Sequence, residues 1–106
     1  MFTAMTEMHK KAKGFHMTFD NGITVSVQWG KMNYCDNRSY GSVRDEDTPP
    51  CVNAEAALFY ADGGAWVKGW PHKNERDDAQ GYLTPAQVLE IMNWAIAQPK
   101  QEKVES

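Results

Sequence analysis

The chain has 106 residues, of which 42% are hydrophobic and 11% aromatic, with a formal net charge of -3 and an isoelectric point near 5.5. That length supports one core and one domain, burying roughly two-thirds of the unfolded chain's surface, and the composition excludes a chain disordered throughout. The charge provides no broad basic field for bulk nucleic-acid binding and is too small for a DNA mimic. No apolar run reaches the ~20 residues of a bilayer span, and charged and polar breaks among the first fifteen residues interrupt any secretory core. The expected compartment is therefore the cytoplasm.

Residues 1–14 mix Met and Phe with His9, Lys10, Lys11 and Lys13, and read as a weakly amphipathic lead-in to a single domain over residues 15–98. Residues 15–30, FHMTFDNGITVSVQWG, are two alternating runs joined by Asn21-Gly22, the signature of a hairpin with a two-residue type I′ turn. Phe15, Met17 and Phe19 share one face of the first strand, and Ile23, Val25, Val27 and Trp29 one face of the second. Thr24, Ser26 and Gln28 lie opposite, so the sheet is expected to have a dry side and a polar side. Residues 31–53 hold turn formers, charges and Pro49-Pro50 without sustained periodicity, which predicts a long loop.

Residues 54–61, AEAALFYA, are apolar on both faces and read as a central strand; Asp62-Gly63-Gly64 then turns the chain into a fourth strand over residues 65–70. After a polar stretch to Gln80, Thr84, Pro85 and Gln87 mark a helix start with a capping box. Val88, Leu89, Met92, Ala95 and Ile96 form its apolar stripe, which Pro99 closes, leaving residues 99–106 as a polar tail. The expected fold is α+β: a four-stranded antiparallel meander packed on one face by a C-terminal helix, with a long loop between its second and third strands. Truncating Leu89 or Val27, one from each side of that contact, is expected to cost about 2–5 kcal/mol.

The loop concentrates groups suited to recognition. Arg38 and Arg44 can hold a carboxylate or phosphate; Tyr34 and Tyr40 can stack on a ring or anchor an interface; Asp36 and Asn37 supply further hydrogen-bonding capacity. The competing view is a solvated loop whose Asn and Asp side chains cap its own turns. On the fourth strand, Trp66, Lys68 and Trp70 alternate onto one face. They form either a wet aromatic patch for a partner or a stacking platform, or they fill the core, and the core is the favoured reading.

Cys35 and Cys51 flank fifteen residues. A bridge closing such a loop contributes about 3 kcal/mol in an oxidising compartment, but the absence of an export signal makes them thiols. Their spacing from His16 and His72 supplies no local pair of metal ligands, so no metal is expected. No phosphate-cradling loop, dinucleotide fingerprint or nucleophile elbow occurs, so neither a cofactor nor an enzyme is expected. A small hydrolase using Cys35 as nucleophile and His72 as base is the enzymatic alternative.

Three segments carry a resemblance: ITVSVQWGKMNYCDNR, NAEAALFYADGGAWVKGW and GYLTPAQVLEIMNWA. Together they resemble a group of small uncharacterised proteins of tailed bacteriophages and prophages, in which a TVSVQ-x-G…NYC stretch precedes an Ala-rich strand and a GYLTP helix. The similarity covers most of residues 15–98, and the loop after Arg38 departs from it. The resemblance implies an accessory protein made in an infected bacterial cell; it implies no catalytic residue. With the small sheet-helix body and elaborate loop, it suggests a non-enzymatic binding protein that engages a host or phage protein, with inhibition of antiphage defence as one form. The alternatives are sequestration of a nucleotide-like molecule, and a virion or scaffold component that self-associates.

Overall fold

The computed structural model describes residues 1–4, 13–30, 33–40 and 49–100. Its elements are β1 (Phe2–Ala4), β2 (Gly14–Thr18), β3 (Ile23–Gln28), a 3-10 turn (Asp36–Tyr40), β4 (Ala54–Tyr60), β5 (Ala79–Leu83) and α1 (Pro85–Ala97). The five strands pair antiparallel in chain order, so the architecture is an α+β meander with one C-terminal helix, as the periodicity predicts. Two strands add to that expectation. Phe2–Ala4, inside the supposed lead-in, pairs with β2, and Ala79–Leu83, which straddles the end of the polar stretch and the residues before the helix, pairs with β4.

Residues 65–70 are not a strand. The Gly63-Gly64 turn forms, with Gly64 N–H donating to the Tyr60 carbonyl at 2.9 Å, but pairing stops after the single bridge between Phe59 and Trp66. A strand would send Val67 and Trp70 to opposite faces. Here Gly69 adopts φ +76 and both side chains turn into the core, Trp70 being only 2% exposed, with its indole N–H on the Val67 carbonyl at 3.2 Å. Burial of a tryptophan outweighs the local alternation.

Ile23, Val25 and Val27 of β3 and Ala54, Ala56 and Leu58 of β4 form the sheet's side of the core, and Ile91 and Ala95 of α1 close it with Val67, Trp70 and Leu83. The capping box is present: the Thr84 hydroxyl accepts from the Gln87 amide at 3.2 Å, and the Gln87 side-chain oxygen accepts from the Thr84 amide at 2.9 Å. The buried stripe is rotated from the expected one. Ile91 and Ala95 are buried, while Val88, Met92 and Trp94 are partly so; Leu89 and Ile96 point to solvent. Small Ala95 allows the helix close to the sheet, and Trp94 packing against the core turns the apolar stripe away from Leu89.

The opposite face of the sheet is also less open than alternation predicts, since Thr24 and Ser26 are as buried as the apolar ladder. Their hydroxyls are satisfied by Thr18 Oγ1 at 2.8 Å and by the Gln28 side-chain amide at 2.9 Å. His16, Phe59 and Trp66 lie across this face as a row of edge-to-face rings.

The first hairpin turn is a three-residue loop. Phe19 N–H donates to the Ile23 carbonyl and Gly22 N–H to the Phe19 carbonyl, both at 2.9 Å, with Gly22 alone at positive φ. Asn21 is freed for another task. Its amide donates to the carbonyls of Ala95 at 2.7 Å and Gln98 at 2.9 Å, and its oxygen accepts from Ile23 N–H at 3.1 Å. One side chain thus fastens the hairpin to the helix C-terminus, where the Ala95 carbonyl also accepts from the Gln98 N–H at 3.3 Å. Asn21→Ala is expected to lower unfolding free energy by about 1–3 kcal/mol, because the Gln98 carbonyl loses the Asn21 donor and the Ala95 carbonyl one of two; urea titration of the two proteins measures it.

Candidate functional site

The loop after β3 is built on the polar face of the sheet by a short chain of side chains. Asn33 accepts from Gly30 N–H at 2.9 Å and donates to Gln28 at 3.1 Å and to Glu55 of β4 at 3.4 Å. The other Glu55 oxygen accepts from Tyr34 N–H at 3.1 Å. Asn37, expected as a binding group, is a structural anchor instead: it is buried, and its amide donates to the carbonyls of Trp29 at 2.8 Å and Pro49 at 3.1 Å. Asp36 is exposed, with its N–H held by Asn53 at 2.8 Å. Arg38 is exposed with its guanidinium 4.5 Å from the centre of the Tyr34 ring, a cation–π arrangement. Tyr40 closes the 3-10 turn, and Arg44 lies outside the described residues.

This anchoring sets Tyr34 against β5. The Tyr34 carbonyl accepts from Tyr82 N–H at 2.8 Å, and a Cβ built on Gly81 would stand 2.4 Å from the Tyr34 Cβ, so only glycine permits the approach. The ladder shifts register here, between its Ala54 and Ala56 pairs, and Tyr82 sits at φ +54. A tyrosine in the left-handed region is unusual, and such positions gather at binding and active sites.

Around this bulge Tyr34, Trp66 and Tyr82 wall a cavity of about 390 Å³ whose rim carries Asn74, Asp77 and Asp78. The three rings are 54%, 47% and 54% exposed. Asn74 builds the acidic side: its side-chain oxygen accepts from the amides of Arg76 and Asp77, each at 2.9 Å, and its own N–H groups donate to Gln80 at 2.7 and 2.9 Å. The result is a concave surface with π faces and carboxylates and, among the described residues that line it, no basic side chain, chemistry suited to a cationic group of the kind that Arg38 already presents to the Tyr34 ring.

The structure therefore divides the residues expected to bind. Tyr34 and Trp66 meet in the cavity, and Arg38 leans on Tyr34. Trp70 belongs to the core and shares no face with Trp66, and Lys68 is exposed but does not line the cavity. Tyr82, Asp77, Asp78 and Asn74 were missed; Asp77-Asp78 beside an Asn within a polar stretch was their one sequence signal, and it resembles any solvated turn.

The Cys35–His72 pairing does not form. His72 Nε2 lies 2.7 Å from Glu90 of α1, while the buried Cys35 thiol donates to the Gly30 carbonyl at 3.4 Å. Burial pushes the Cys35 thiol up to about 11, opposite to what a nucleophile at neutral pH needs. A second cavity of about 340 Å³ lies between sheet and helix, with Phe15, Trp29, Val52, Val88 and Met92 among its walls. Among the described residues, no helix is long and apolar enough to cross a membrane. No family model, curated protein or solved structure matches this chain.

Proposed function

We propose that this is a non-enzymatic binding protein whose recognition site is the cavity between Tyr34, Trp66 and Tyr82, and that it receives a positively charged side chain from a partner protein. One observation carries the reading: three half-exposed aromatic rings converge on a cavity whose rim carries the carboxyl side chains of Asp77 and Asp78. Rings and carboxylates together stabilise a cation, each cation–π contact by about 0.5–2 kcal/mol according to how far it is desolvated. The same carboxylates disfavour a phosphate-bearing ligand, which ranks sequestration of a nucleotide second. The resemblance to phage and prophage proteins favours a partner in an infected bacterial cell, and a host protein, including one acting in antiphage defence, is the partner class proposed here.

The test is binding to peptide arrays whose members differ only in presenting Arg, Lys or a neutral residue, with affinities then measured by calorimetry. Binding is expected for the cationic members. Asp77→Asn with Asp78→Asn, and separately Trp66→Ala, are each expected to weaken it about tenfold or more, the equivalent of 1.4 kcal/mol. Equal binding of neutral peptides, or unchanged affinity in both variants, overturns the reading.

A further inference from the structure

The two cysteines were expected to be separate thiols, and the fold brings them together. The loop that begins at Asn33 and the segment entering β4 are stitched side by side: Asp36 N–H donates to the Asn53 side-chain oxygen at 2.8 Å, and the Cys51 thiol reaches the same oxygen at 3.6 Å. Cys35 directly precedes Asp36, so the single Asn53 side chain holds both cysteine-bearing segments together, and the Cys35 thiol is near enough to Cys51 for the two to interact electrostatically. Both are free thiols in this structure, Cys35 buried and Cys51 partly exposed at the wall of the cavity between sheet and helix.

We propose that Cys35 and Cys51 are a redox-active pair that closes reversibly to a disulfide, with a small-molecule disulfide such as oxidised glutathione as the oxidant. The accessibility of the two sulfurs sets the order of events. The Cys51 thiolate attacks one sulfur of glutathione disulfide, forming a mixed disulfide and releasing one glutathione thiolate. The Cys35 thiol then loses its proton to solvent, and its thiolate attacks the Cys51 sulfur and displaces the second glutathione. Two protein thiols become one disulfide, and one glutathione disulfide becomes two glutathione thiols. Burial, which holds Cys35 protonated, makes the second step the slow one. Cys35 directly follows Tyr34, which walls the aromatic cavity, but neither cysteine lines that cavity, and the pair stands independently of what it binds.

The experiment is equilibration of the purified protein in buffers of graded reduced and oxidised glutathione, followed by acid quenching, alkylation, unreduced trypsin digestion and mass spectrometry. Trypsin cuts after Arg38 and Arg44, so a bridge joins two peptides that otherwise separate. The expected product is a monomer carrying the linked Cys35 and Cys51 peptides, its share rising with oxidised glutathione and reversing on addition of the reduced form. Cys35→Ser is expected to halt at glutathionylated Cys51. A wild-type protein that also halts there, that links only between molecules, or that stays fully reduced across the series overturns the proposal.

Discussion

Ile91→Ala is expected to lower the unfolding free energy by about 2–5 kcal/mol, a large fraction of the 5–15 kcal/mol that holds a domain of this kind together, while Leu89→Ala changes it by about 0.5 kcal/mol or less. Ile91 is fully buried among Val25, Leu58 and Trp70, so truncation leaves a cavity in a core that has little freedom to collapse. Leu89, two positions earlier on the same helix, is 58% exposed. Chemical denaturation of both variants, read by tryptophan fluorescence, measures the contrast. Equal losses would mean that α1 packs with its stripe turned toward Leu89.

Gly81→Val is expected to damage the aromatic cavity and stability together. A side chain at 81 would meet the Tyr34 Cβ at 2.4 Å and its carbonyl oxygen at 2.6 Å, and backbone cannot yield as a flexible side chain can. The contact between Tyr34 and Tyr82 must open, releasing the hydrogen bond at 2.8 Å and one wall of the cavity. Overpacking of this kind costs about 1–3 kcal/mol. Binding of a cationic peptide is expected to fall by more than that destabilisation alone predicts at temperatures where the variant remains folded. Full binding in a folded variant would separate Tyr34 from recognition.

The parts of this fold that could be read from the sequence are those in which one local rule acts unopposed. Alternation in residues 23–28, the doubly apolar 54–60 run and the Thr84/Gln87 box each name their element, and each element is present. The failures occur where two demands compete for the same residues. Residues 65–70 alternate like a strand, but Val67 and Trp70 both belong inside, which a strand cannot arrange. Asn21-Gly22 matches a two-residue turn, yet Asn21 serves the helix end 74 positions later. Residues 79–83 do not read as a strand because Gln80 spends its side chain on Asn74 and Gly81 exists to admit Tyr34.

The candidate site was half legible for the same reason. Tyr34 and Trp66 stand out as aromatics in polar or glycine-rich surroundings, and both reach the cavity. Its acidic side depends on hydrogen bonds between Asn74 and the amides of Arg76 and Asp77, whose meaning appears only when the chain has brought β5 beside Tyr34. Asn37 illustrates the reverse error, since a polar loop residue that looks available for a ligand is consumed by two backbone carbonyls.

The two margins of the sheet bear on how copies of this chain can meet. An unpaired strand offers a template for another chain when it is long, flat and regular. Here one margin is β1, three residues long, and the other is β5, broken at its bulge with the Tyr82 amide already committed to Tyr34. Among the described residues, neither margin presents the extended ladder that strand-by-strand growth into fibrils requires, so the sheet offers another copy of the chain little backbone to pair with.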